Sequence, residues 1–81
     1  MMTQEVTLGN NYEKNAARFV DLAGSFESSV SLETTPEKRV NGKSIIGLQS
    51  LGVTGGDCVT LLIHGDDQEV AMRRLIEVLE D

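Results

Sequence analysis

From Thr3 to Leu8 polar and apolar residues alternate, with Val6 and Leu8 opposite Glu5 and Thr7, the period of a half-buried strand. Gly9-Asn10-Asn11 then signals a turn. Between Glu13 and Ala23 the pattern changes: Ala16, Phe19, Val20 and Ala23 recur at helical spacing, and Gly24 is the expected stop. A second strand is expected from Ser29 to Glu33 around Val30 and Leu32. A turn holding the only proline, Pro36, leads into a short third strand at Lys38 to Val40. Asn41-Gly42 breaks the chain before a short helix that Ser44 should cap and Gly52 should end. On that helix Ile45, Leu48 and Leu51 share a face suited to a core, whereas Ile46 and Gln49 fall off it. From Cys58 to His64, Val59, Leu61 and Ile63 face one way and Cys58, Thr60, Leu62 and His64 the other. The last helix opens with Asp66 and Glu69, spaced like an acidic capping box, and its inner stripe is Ala71, Leu75, Val78 and Leu79. Glu69 with Arg73 and Arg73 with Glu77 are spaced for outward ion pairs.

The order is β-α-β-β-α-β-α. Two β-α-β halves joined by a hairpin predict an α+β fold, a four-stranded antiparallel sheet with three helices on one face. Eighty-one residues suit one domain, 1–81, and leave no room for two cores. Seven basic against thirteen acidic residues give a net charge of −6, which would repel a nucleic acid over most of the surface. The opening residues have neither a basic start nor an apolar run, no stretch approaches membrane-spanning length, and one cysteine forms no internal disulfide. A cytoplasmic protein without a membrane segment is expected.

The run Lys43-Ser44-Ile45-Ile46-Gly47-Leu48-Gln49-Ser50-Leu51-Gly52 resembles the regulatory-serine region of HPr, the small phosphocarrier of the bacterial sugar phosphotransferase system. The likeness extends to Ala16, Val20 and Ala23, to Val40-Asn41, and to Gly56, Val59-Thr60 and Gly65. It implies the HPr-like open-faced β-sandwich. It also implies that Ser44 is phosphorylated by the family's bifunctional HPr serine kinase/phosphorylase. The patch that Lys43, Ile45, Ile46 and Gln49 occupy is the one through which family members contact enzyme I, that kinase and a catabolite-control transcription factor.

One stretch departs from the family. There a histidine after the first strand accepts phosphate, followed by a small residue, an arginine and a proline. Here the stretch reads Tyr12-Glu13-Lys14-Asn15-Ala16, which places Tyr12 at the histidine position and Lys14 at the arginine position. A neutral imidazole is nucleophilic near pH 7 and its phosphoryl derivative is labile. A phenol is protonated at that pH, and its phosphate ester is too stable to act as a donor. Lys14 also lacks the two-pronged guanidinium that grips phosphate. The pattern is similar to the catabolite-repression HPr-like paralogues, which lack the histidine and keep the serine.

The expectation is therefore a non-catalytic regulatory adaptor and not an enzyme, with Ser44 as its switch and no metal or cofactor. Its expected partners are proteins: the serine kinase, and a transcriptional regulator or another regulated enzyme. The alternatives are a working phosphocarrier with an unrecognised acceptor, and a repurposed binding module that uses neither phosphorylation site. Tyr12 also suits a residue that covers the end of the sheet. Cys58 and His64 lack partners for nucleophilic or metal chemistry, and Gly55-Gly56 lacks phosphate-loop spacing.

Overall fold

The computed structural model describes residues 1–81. The elements follow in the order β1 (Met2–Thr7), α1 (Tyr12–Gly24), β2 (Ser29–Thr35), β3 (Lys38–Asn41), α2 (Ile45–Ser50), β4 (Cys58–His64) and α3 (Gln68–Glu80). The strands form one sheet in the order β1-β4-β2-β3. Every pairing is antiparallel, with Val6 opposite Val59, Leu61 opposite Leu32, and Leu32 opposite Val40. The β1-α1-β2 unit is split, because β4 inserts between its two strands. The expected α+β architecture is the observed one.

Alternation along the strands decides where the core lies. Val6, Val30, Leu32, Val59, Leu61 and Ile63 line one sheet face, and Phe19, Ala23, Leu48, Leu51, Ala71, Met72, Leu75, Val78 and Leu79 come from the helices to meet them. The opposite face carries Glu5, Thr7, Cys58, Thr60, His64, Ser29 and Ser31, as the period-2 reading required. Leu62 lies on that polar face yet is buried, because β4 is a central strand flanked on both sides.

Several local expectations need correction. Helix α1 ends at Gly24 as expected, but without a left-handed residue: its cap, Ser25, is in the right-handed region, and the Ser25 hydroxyl donates to the Leu22 carbonyl at 2.6 Å. The acidic capping box of α3 does not form, since the N-cap is Asp67 and its side chain makes no cap hydrogen bond. Neither outward pair of α3 closes; the one ion pair joins Arg39 to Glu33 across the β2–β3 hairpin at 3.2 Å. Long exposed side chains gain too little from pairing in water to hold one geometry.

The carboxylate of Asp67 works at longer range. It accepts from the backbone N–H groups of Glu27 (2.9 Å) and Ser28 (3.0 Å) and from the Ser28 hydroxyl. Ser28 is the one polar residue among the buried set, and Asp67 satisfies it. These hydrogen bonds, the one from the Ser28 hydroxyl foremost, hold the Asp67 carboxyl below its ordinary value, because each favours the charged form. The bond ties the α1–β2 connection to the start of α3.

Candidate functional site

Two helix starts carry the residues that the sequence singles out. At the first, β1 hands over to α1 through Leu8-Gly9-Asn10-Asn11. The Gly9 N–H donates to the Leu79 carbonyl at 2.8 Å, and the Asn11 N–H donates to the Asp81 carbonyl at 2.9 Å. A Cβ at Gly9 would run into the Glu80 and Asp81 carbonyls, so the turn admits glycine only because it presses against the end of α3. Asn11 stands at the N-cap without a side-chain cap bond, and the Asn15 amide donates instead to the Asp81 carboxylate at 2.9 Å.

Tyr12 is the first residue of α1. It is 5% exposed and belongs to the hydrophobic core. Its hydroxyl is buried and has no hydrogen-bond partner. Burial, and next the Glu13 carboxylate, push the phenol above its ordinary value, so it is protonated at neutral pH. Lys14 is exposed and pairs with nothing in the chain. The single histidine, His64, is exposed and lies opposite Ser29 at one end of β4, whereas Cys58 at the other end is opposite Thr7. The seven residues of β4 separate His64 from the β1–α1 turn by about 20 Å.

The second start is built differently. Gly42 N–H donates to the Val30 carbonyl at 2.7 Å and anchors the segment to β2. The Asn41 side chain accepts from the Lys43 N–H at 2.9 Å, a local turn that aims the chain into α2. Ser44 is extended (φ −122, ψ 121) and its hydroxyl accepts from the Gly47 N–H at 3.1 Å, the N-cap geometry that the sequence predicts. It is partly exposed. Gly52, with φ at 68, ends the segment in the left-handed region, again as predicted.

Leu48 and Leu51 are buried, so they seat α2 on the core. Ile45 does not join them. At 37% exposure it corrects the expectation of a core residue and lies with Ile46, 75% exposed, and Gln49 on the outer side. A six-residue helix is too short for spacing alone to assign which of its adjacent isoleucines turns inward. Lys43 is near in sequence but its ammonium donates to the Phe26 carbonyl at 2.9 Å, so it does not overhang the Ser44 hydroxyl. The structure thus brings Ser44, Ile45, Ile46 and Gln49 together on one short helix, and it places Tyr12 and Lys14 on another. No helix is long and apolar enough to cross a membrane.

A family model described as the PTS HPr component phosphorylation site matches residues 3–81. The chain is 43% identical over 65 residues to the HPr-like protein Crh of Halalkalibacterium halodurans, spanning 80% of this chain and 76% of that protein. It is 33% identical over 84 residues to the phosphocarrier protein HPr of Pseudomonas putida, spanning 100% of this chain and 93% of that one. Among solved structures, HPr-C-His from Thermoanaerobacter tengcongensis superposes with a TM-score of 0.88 at 36% identity, over 98% of this chain and 91% of that chain. By the extent of the match and by its fold, the chain belongs to the HPr family.

Proposed function

We propose that residues 1–81 act as one non-catalytic HPr-like regulatory adaptor in the cytoplasm, switched by phosphorylation of Ser44 and docking through α2. The observation that carries this reading is the contrast at the two helix starts. The phenol of Tyr12, at the position where the family has its acceptor histidine, is buried and unpartnered. The Ser44 hydroxyl caps a helix whose outer side offers Ile45, Ile46 and Gln49. A buried, protonated phenol is a poor nucleophile and cannot hand a phosphoryl group onward. Relatives at 43% and 44% identity are HPr-like proteins named Crh, which supports a place in catabolite repression.

A phosphate on Ser44 would sit at the start of α2, where the first-turn N–H groups lack helical acceptors. A negative charge there is stabilising by about 0.3–1 kcal/mol, so modification would leave the fold intact and change only the surface. The phosphate beside exposed isoleucines would make a mixed charged and apolar patch. A partner such as the serine kinase or a transcriptional regulator would read its two states differently.

Incubation with an HPr serine kinase and ATP, followed by intact mass, tests the switch. One added phosphoryl group is expected. None on this chain, with a control HPr modified in the same tube, removes Ser44 from the proposal. Phosphoenolpyruvate and enzyme I should give no acid-labile adduct; an adduct would restore the phosphocarrier reading.

A further inference from the structure

A cavity of about 280 Å³ lies at the seam where α1 packs on α3, and it is the molecule's one pocket. Arg18 and Leu22 reach it from α1, four residues apart and hence on one face. Arg74, Glu77, Val78 and Asp81 reach it from α3 and the residue that follows, at positions i, i+3, i+4 and i+7 of one stripe. Two arginines, two acidic residues and two aliphatic residues therefore line one small groove.

The charges are not spent on each other. The single ion pair of the chain is Arg39 with Glu33, and neither Arg18, Arg74 nor Glu77 takes part in a side-chain hydrogen bond. Asp81 is fixed by Asn15, which donates to one of its oxygens at 2.9 Å and leaves the other free. The adaptor surface on α2 makes no use of these residues.

The four charged side chains sum to zero, and that favours a ligand carrying both signs. A simple anion drawn to the arginines would lie beside two carboxylates, and a simple cation would lie beside two guanidiniums. A molecule carrying both signs on adjacent atoms satisfies all four groups. We propose that the α1–α3 groove binds a small zwitterion of the α-amino acid class. The carboxylate engages Arg18 and Arg74, the ammonium engages Glu77 and Asp81, and an aliphatic side chain covers Leu22 and Val78. The groove is open to water, so a dissociation constant on the order of 1 mM is expected.

Titrating the isotopically labelled chain while following backbone amide shifts tests this, with leucine, its deaminated analogue isocaproate, its decarboxylated analogue isoamylamine, and inorganic phosphate as probes. Saturable shifts confined to residues 18–22 and 74–81 are expected with leucine. The three singly signed probes should bind at least about tenfold more weakly, as should leucine to Arg74→Gln and Glu77→Gln, since each lost charged hydrogen bond is worth roughly that factor. Arg74 and Glu77 are exposed, so both variants keep the fold and the same spectrum reports it. Absence of saturable shifts overturns the proposal. So do equal binding of isocaproate, phosphate or isoamylamine, shifts elsewhere, or unchanged affinity in both variants.

Discussion

The starts of α1 and α2 solve the same local problem in opposite ways. At α1 the first helical residue turns a large aromatic ring into the core, and the preceding turn is clamped under the end of α3. At α2 a small hydroxyl does the capping, and the residues beside it turn outward. The first start is closed and holds an unsatisfied polar atom; the second is open and holds unsatisfied apolar area. Water can reach the second and a partner could cover it, which is why the proposed docking role is assigned to it. The first has become part of what holds the molecule together.

If that contrast is right, Tyr12→Ala should be the most damaging single change. Loss of a buried aromatic costs about 3–5 kcal/mol in urea unfolding. Tyr12→Phe keeps the packing and removes the orphaned hydroxyl, so it should raise stability by about 1 kcal/mol. It should also abolish an alkaline effect. Because the Tyr12 phenol titrates above its ordinary value of 10.0, its contribution is complete below that pH and is lost as pH rises through the folded-state value. An unchanged alkaline limb in Tyr12→Phe would mean the phenol is not sealed.

At the open start, Ser44→Ala should lose kinase modification completely while costing about 1 kcal/mol from the missing cap. Modification that persists in this variant would place the acceptor elsewhere. The third helix start gives an acid-side comparison. The Asp67 carboxyl is lowered from 3.8, so its stabilisation is present above that pH and disappears as pH falls through the folded-state value. Asp67→Asn should flatten the acid limb of the urea midpoint against pH; an identical limb would show that the clamp to Ser28 is not what titrates. Smallest of all, Ile46→Ser should shift stability by less than about 0.5 kcal/mol, since the side chain packs on little. Its effect should appear in partner affinity alone, and a large loss of stability would contradict an outward role.

What the sequence made legible was whatever depends on near neighbours. The Ser44 cap, the Gly52 stop and the alternation of Val59, Leu61 and Ile63 are each dictated by a few adjacent residues, and each is found as expected. What escaped depends on contacts between distant segments. Asp67 and Ser28 are 39 residues apart, and Asp66 beside Asp67 offers the same carboxylate, so spacing pointed to a local capping box instead. Nothing adjacent to Tyr12 signals its burial; that comes from the α1–α3 packing and the clamp at Gly9. The charges of the seam were hidden for the same reason, because Arg18 lies on α1 while Arg74, Glu77 and Asp81 lie on α3 or just past its end, more than 50 positions away.

The position of β4 has a consequence for biosynthesis. It is the last strand to leave the ribosome, yet it supplies the ladder partners for both β1 and β2. A nascent chain that stops short of Cys58 holds β1 with no neighbour and only the β2–β3 hairpin paired, an assembly too small to persist in water. Folding of the sheet therefore waits until β4 has been synthesised. Arrested chains truncated before Cys58 should remain open to proteases where the finished product resists them.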